Sequence, residues 1–263
     1  MSDREGADSS RRLSLARGCH GVSVENQRRR FGYTQTMMRT VSGKPYLGAT
    51  PNPLKATREA MAVSKSGRLP VVEIFYSLQG EGLRTGQATI FVRFAGCNLA
   101  CEFCDTDFRT REIYTVEEVT TEISRIGGEC RWVCLTGGEP TIHDLRELCD
   151  RLHASGYRLQ IETNGSRERA EWNLDHITVS PKQPQGGRLH PWYEENATEF
   201  KYVIDDEADL ARALEGVRAH GRATSVQPNA LNPAAVALCV ESVRAYPTLL
   251  RLSLQTHKFL QIR

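Results

Sequence analysis

Residues 132–140 read Trp132-Val133-Cys134-Leu135-Thr136-Gly137-Gly138-Glu139-Pro140, a short apolar run that passes straight into a glycine-rich polar cluster. Four such residues bounded by turn formers have the pattern of a buried strand. The pattern recurs on both sides. Downstream, His143–His153 is helical by spacing, and Arg158–Ile161 is a strand ending at Glu162-Thr163-Asn164-Gly165. His176–Val179 ends at Ser180-Pro181-Lys182, and Glu199–Ile204 precedes a helix over Ala208–Val217. Ala223–Val226 ends at Gln227-Pro228-Asn229, with a helix over Pro233–Arg244 and a last strand over Leu249–Leu254. Upstream, Val71–Ser77 and Ala88–Phe94 are rich in β-branched and aromatic residues, and the turn-forming Gln79-Gly80-Glu81-Gly82 separates them. Thr115-Val-Glu-Glu118 opens an amphipathic stretch to Ile126 with the spacing of a capping box.

Strands alternating with helices predict an α/β fold with a parallel sheet. A complete eight-unit barrel takes about 250 residues, and residues 71–263 supply 193. Several connections have no room for a full helix. The expectation is therefore a partial, incomplete β/α barrel. Every polar cluster follows a strand, so all of them are expected at the carboxyl-end face of the sheet, where such folds place their sites.

Composition divides the chain in two. Residues 1–70 carry 13 Lys/Arg against 5 Asp/Glu, a net of +8, and the rest carry 21 against 27, a net of −6. The first part has two arginine runs and no sustained apolar periodicity, so it reads as a disordered, dispensable N-terminal extension. Met61 is an alternative start. Residues 71–263 are expected to be the folded domain that carries the function. No run approaches the ~18 apolar residues of a membrane span, and the acidic part gives no reason to expect nucleic-acid binding.

Eight cysteines are present. Cys19, Cys130, Cys134, Cys149 and Cys239 are dispersed and read as small buried hydrophobes. The other three form Gly96-Cys97-Asn-Leu-Ala-Cys101-Glu-Phe-Cys104-Asp-Thr-Asp, a C-x3-C-x2-C cluster. Structural zinc wants four closed ligands, and no fourth Cys or His has pairing spacing. An iron–sulfur cubane on three thiolates leaves one iron open for an external ligand, and the triplet favours that reading.

With Phe103 just before the last cysteine, Cys97-x3-Cys101-x2-Cys104 resembles the signature of radical S-adenosylmethionine enzymes. Thr136-Gly-Gly-Glu-Pro140 is similar to that superfamily's GGE motif. Six segments narrow the match: Glu73–Gly82, Phe91–Cys97, Cys104–Phe108, Glu162–Gly165, Ser180–Lys182 and Gln255-Thr-His-Lys258. In this order they resemble the 7-carboxy-7-deazaguanine synthase family over essentially all of residues 71–263. The resemblance implies a [4Fe-4S] cluster, S-adenosyl-L-methionine and Mg²⁺. It also implies radical ring contraction of 6-carboxy-5,6,7,8-tetrahydropterin with loss of ammonia, in queuosine-type 7-deazapurine biosynthesis. Expected partners are the pterin, a reducing protein such as flavodoxin or ferredoxin, and a second copy in a homodimer. A cytoplasmic location is expected, with no nucleic acid and no membrane.

The resemblance also assigns residues. Cys97, Cys101 and Cys104 would hold the cluster and Thr106 the Mg²⁺, whereas chemistry alone would choose Asp105 or Asp107. Phe103, Cys104, Asp105, Gly138, Glu139, Asn164, Ser180, Pro181 and Lys182 would meet S-adenosylmethionine, and Gln227, Pro228 and Asn229 would close over its ribose or adenine. Leu78, Gln79, Gly80, Glu81, Thr136, His257 and the carboxylate of Arg263 would contact the pterin. Arg93 is a charge in an otherwise apolar strand, so it needs a partner. The substrate carboxylate is one candidate, and a surface-facing position is the plainer alternative. No side chain is expected to serve as general acid or base. The rivals are a glycyl-radical activating enzyme, which has no need of Leu78–Glu81 or the Gln255–Lys258 tail, and a non-catalytic zinc or cluster module.

Overall fold

The structure, a computed structural model, describes residues 53–263 apart from 105, 183–185 and 230–231. Helix α1 (Pro53–Lys65) leads into β1 (Leu69–Leu78), β2 (Ala88–Phe94), β3 (Glu112–Tyr114), α2 (Val116–Gly127) and β4 (Trp132–Gly137). Then come α3 (Arg146–Ala154), β5 (Arg158–Thr163), β6 (His176–Val179), α4 (Trp192–Asn196) and β7 (Glu199–Ile204). The chain ends with α5 (Glu207–His220), β8 (Ala223–Pro228), α6 (Ala234–Ala245), β9 (Leu250–Leu252) and α7 (Thr256–Leu260).

The strands form one sheet in the order β3-β1-β2-β4-β5-β6-β7-β8-β9, with β3 and β9 at its edges. From β2 through β9 every neighbour is parallel, and β1 runs antiparallel to both β2 and β3. An open, largely parallel sheet with helices between its strands is the incomplete barrel that the alternation predicts.

Side chains alternate across the sheet with a period of two, and β7 shows why the sequence folds this way. Phe200, Tyr202 and Ile204 join the apolar core, together with Val133 and Leu135 of β4, Leu159 and Ile161 of β5, and Ile123, Leu148 and Val217 of α2, α3 and α5. Glu199 and Lys201, the alternate residues, are also buried, but on the opposite, inner face. Helix ends are set locally. Thr115 and Glu118 complete the expected capping box. Asp206 caps α5 by accepting from the Asp209 N–H at 2.9 Å, and Gly221 ends it in the left-handed region at φ 62°. No helix among the described residues is long and apolar enough to cross a membrane.

Two expectations are corrected. The boundary at residue 70 is wrong from residue 53 onward. Residues 53–65 are helical and residues 69–70 open β1, while residues 1–52 of the expected disordered extension lie outside the described residues. The buried side of α1 is made of Ala56, Thr57 and Ala60, which are too small or too polar to give an apolar periodicity legible in sequence. The second correction concerns Gln79–Gly82. Because β1 and β2 form a hairpin, Leu78 sits beside Ala88 at the amino edge of the parallel strands, opposite the cysteine loop.

Candidate active site

The cysteine loop leaves the carboxyl end of β2, and adjacent backbones fix its root. Gly96 N–H donates to Phe108 at 2.8 Å, and Gly96 C=O accepts from Glu139 N–H at 2.9 Å. The GGE turn can lie this close only because it lacks side chains. A Cβ on Gly138 would stand 2.0 Å from Gly96 O, and one on Gly137, at φ +136°, would stand 2.1 Å from Phe94 O.

Glu139 is wholly buried and ties two strand ends together. One carboxylate oxygen accepts from Thr141 N–H (3.0 Å), Thr141 Oγ1 (2.6 Å) and Thr163 Oγ1 (2.8 Å), and the other from Asn164 N–H (2.7 Å). Burial raises its pKa, and these donors partly offset the rise. Asn164 Nδ2 in turn donates to Asn98 Oδ1 at 3.0 Å, and Asn98 Nδ2 to Ser166 Oγ at 2.9 Å. The residue after Cys97 is thus held by the loop after β5.

Cys97 and Cys101 are half-buried, Cys104 is exposed, and all are free thiols. Burial pushes the Cys97 thiol up to about 12. Burial also raises Cys101, while the charge of Lys182 acts in the opposite direction. Iron reverses such a rise, since a coordinating thiol is deprotonated outright. Three soft donors on one loop fit an iron–sulfur cluster with an open iron. Among the described residues, no three His, Cys, Asp or Glu side chains are gathered closely enough to enclose a single ion.

Around the loop, the Lys182 ammonium lies 5.7 Å from the Phe103 ring centre and donates to Ser180 Oγ at 2.5 Å. Burial, then the charge of Lys201, lowers its pKa to about 8. Pro181 is half-buried beside it, and Asp105 lies outside the described residues. Thr106 is half-buried. Asp107 is occupied by Arg109 (2.9 and 2.6 Å) and Arg111 (2.7 Å), and the hydrogen bond from Arg109 chiefly holds its carboxyl down to about 2. A carboxylate so engaged is a poor cation ligand.

The inner face carries a continuous polar network. Gln79 Nε2 donates to Gln160 Oε1 and Glu162 Oε1, both at 3.2 Å, and Gln79 Oε1 accepts from Glu81 N–H at 3.2 Å. Lys201 is ion-paired with both Glu81 and Glu162, the latter at 2.9 Å. Burial alone would raise Glu81, but the Lys201 ammonium outweighs it and lowers the carboxyl to about 2. Glu162 is raised by burial, which Lys201 only partly offsets. Below them, Glu199 accepts from Leu83 N–H (3.0 Å) and Thr178 Oγ1 (3.0 Å), and Gly82 N–H donates to Ser253 Oγ (3.0 Å). These contacts fold the loop after β1 back into the sheet, so Gln79 and Glu81 reach the inner face from its amino edge.

Arg93 and Thr136 sit side by side in register on β2 and β4, one strand turn before the cysteine loop and the GGE turn. Arg93 has a protein partner as well, since its Nε donates to Glu73 Oε1 at 3.0 Å directly across the hairpin. Gln227 accepts from Ser253 Oγ at 2.9 Å, Pro228 is half-buried, and Asn229 Nδ2 donates to Asp205 at 3.1 Å. The tail packs on β1. His257 touches Gly80, where a Cβ would stand 2.2 Å from its Nδ1, and Thr256 Oγ1 donates to Gly80 O at 2.9 Å. Arg263 lies over Phe75, its carbonyl accepting from Ser77 Oγ and its guanidinium 3.5 Å from Glu73. Leu78, at the loop's start, is exposed.

Sequence reasoning missed Lys201, Gln160 and Glu199 altogether and saw Glu162 only as part of a motif. The available signal was Glu199-Phe-Lys-Tyr-Val-Ile204, a buried-looking strand whose alternate positions carry charge.

Comparison with known proteins gives a consistent result. Residues 91–184 match the family described as the Radical SAM superfamily. A protein of Bacteroides thetaiotaomicron named 7-carboxy-7-deazaguanine synthase is 41% identical over 192 residues, 73% of this chain and 97% of the relative. The protein of the same name from Escherichia coli K12 is 34% identical over 222 residues, 73% of this chain and 98% of that relative. The crystal structure of QueE from Escherichia coli superposes with a TM-score of 0.62 at 30% identity, covering 74% of this chain and 97% of that one.

Proposed function

The chain belongs to the 7-carboxy-7-deazaguanine synthase family of radical S-adenosylmethionine enzymes, and from that premise we propose its substrate and the work of its residues. It is an enzyme of 7-deazapurine biosynthesis that acts on a small molecule and uses a [4Fe-4S] cluster with S-adenosylmethionine. The substrate is 6-carboxy-5,6,7,8-tetrahydropterin, and the product is 7-carboxy-7-deazaguanine, formed by ring contraction with loss of ammonia. When bound, the cluster and S-adenosylmethionine supply the radical that abstracts a substrate hydrogen atom. The observation that carries the reading is the inner-face network of Gln79, Glu81, Gln160, Glu162 and Lys201. Glu81 and Glu162 keep partial exposure while Gln79, Gln160 and Lys201 are buried behind them, so the two carboxylates are the groups presented to the donor edge of a flat heterocycle.

Cys97, Cys101 and Cys104 hold the cluster. The backbone of Gly138, the Lys182 ammonium and the Phe103 face receive S-adenosylmethionine, with Ser180 and Pro181 shaping that wall and Gln227, Pro228 and Asn229 closing it. Glu139 and Asn164 serve this site as ties, since their polar atoms are taken up by neighbouring strand ends and by Asn98. The pterin lies against Leu78–Glu81, Thr136 and His257, beside Arg263. Arg93 holds its carboxylate, sharing its guanidinium with Glu73. Thr106 contributes to a Mg²⁺ that keeps waters and substrate oxygens as its other ligands. These groups bind and orient, and the protein's task is to keep the reacting hydrogen within range. A flavodoxin- or ferredoxin-type reductant, a homodimer and a cytoplasmic location complete the proposal.

Arg93→Leu tests the substrate pose. Loss of a charge-assisted bond raises KM for the pterin about ten- to a hundredfold, with iron content and S-adenosylmethionine affinity unchanged. An unaltered KM would show that Arg93 serves only Glu73.

A further inference from the structure

Helix α1 precedes all six motif segments. Yet α1 touches the cysteine loop at its first ligand. Thr57 Oγ1 donates to Cys97 C=O at 2.7 Å and accepts from Cys97 N–H at 3.1 Å, across 40 residues of sequence. One hydroxyl thus satisfies both backbone groups of one residue. The contact is close-packed as well as polar. Ala60 is fully buried, and its Cβ lies 3.0 Å from where a Cβ on Gly96 would stand. The GGE turn and Phe108 already fix Gly96 from other sides. Further along, Cys101 and Cys104 share one backbone bond, Cys104 N–H to Cys101 O at 3.2 Å, and Cys104 is exposed.

We propose that Thr57 is a positioning residue for the iron–sulfur cluster: through α1 it locks the backbone of Cys97 and so presents the first ligand already ordered. The proposal rests on the reading of Cys97 as a cluster ligand. A ligand whose backbone is fixed beforehand loses less freedom when iron binds. The latch would therefore slow cluster loss and fix the backbone from which the Cys97 thiolate is presented. It also gives residues 53–65 a role in a site assembled otherwise from the strand ends.

The test compares the reconstituted native chain with Thr57→Val, which removes donor and acceptor, and Thr57→Ser, which keeps both. Cluster loss to a ferrous chelator is followed anaerobically by the visible absorbance of the cluster. The expected result is loss about tenfold faster in Thr57→Val, a native rate in Thr57→Ser, and a shifted signal of the reduced cluster in paramagnetic resonance for the valine variant alone. Equal rates in native and valine chains, or a serine variant as fast as valine, overturn the proposal and leave the cluster assignment standing. Amide exchange guards against a folding defect. In the native apo-chain the Cys97 N–H is expected to be protected, and an unprotected Cys97 amide overturns the latch whatever the variants do. Should the native chain bind no iron under reconstitution, the cluster reading fails with it.

Discussion

Changing Cys97, Cys101 or Cys104 singly to Ala removes the cluster and the activity together. On the proposed ligation, three thiolates hold a cluster whose fourth iron stays open, so each of them is needed. Two carboxylates near the loop are already engaged. Asp107 is taken up by Arg109 and Arg111, and the Glu139 carboxylate is filled by four donors. Iron content should fall and turnover should drop to background in each variant. The chain should stay folded, because the loop lies outside the apolar core. Cys130→Ser serves as the contrast. Its sulfur faces Ala88 O at 3.4 Å, far in sequence from the triplet, and iron loading should be native. A single Ala variant that keeps both iron and turnover would dismantle the mechanism.

Lys201→Met has the next largest effect. The ammonium is buried between Glu81 and Glu162, and removing one member of a buried ion pair costs about 3–5 kcal/mol because the remaining charge is stranded. The sign of the pH dependence separates this from a general packing defect. In the native chain Glu81 titrates at about 2 rather than 4.5. Its folded form binds fewer protons than the unfolded one between those values. Its stabilisation is therefore complete above 4.5 and is lost as pH falls through about 2. In the variant two neighbouring buried carboxyls share no cation, so one retains a proton near neutrality. The folded form then binds more protons than the unfolded one, and stability declines as pH rises. The unfolding midpoint of Lys201→Met, relative to the native chain, should be higher at pH 5.5 than at pH 7.5. Turnover should fall by about a hundredfold at pH 7.5, with iron content unchanged. A relative midpoint that is flat with pH would remove Lys201 from the role of holding two carboxylates.

The legible part of the fold was whatever depends on local pattern. Strands β6 and β7 fall on the expected residues, and the Thr115 capping box forms as its spacing predicts. The course of β1 was not legible, because a strand pattern carries no direction; the hairpin with β2 turns the Gln79–Glu81 loop toward the opposite edge from the cysteines. Helix α1 escaped because Ala56, Thr57 and Ala60 bury a face without large apolar residues. Among site residues, the cysteines announce themselves by soft-ligand spacing. Lys201 looks like one charge in a strand, and only the sheet brings Glu81 and Glu162 to it from 120 and 39 residues away. Glu139 shows the reverse case. Its place in the glycine-rich motif is legible, but the hydrogen bonds by which its carboxylate ties the ends of β4 and β5 together are not.

The central claim is tested most directly by anaerobic incubation of the reconstituted chain with 6-carboxytetrahydropterin, S-adenosylmethionine, a low-potential reductant and Mg²⁺, with products read by mass spectrometry. The account predicts 7-carboxy-7-deazaguanine together with released ammonia, dependent on every component and absent when Cys101→Ala replaces the native chain. A cluster-loaded chain that cleaves S-adenosylmethionine but leaves the pterin unconverted would contradict it.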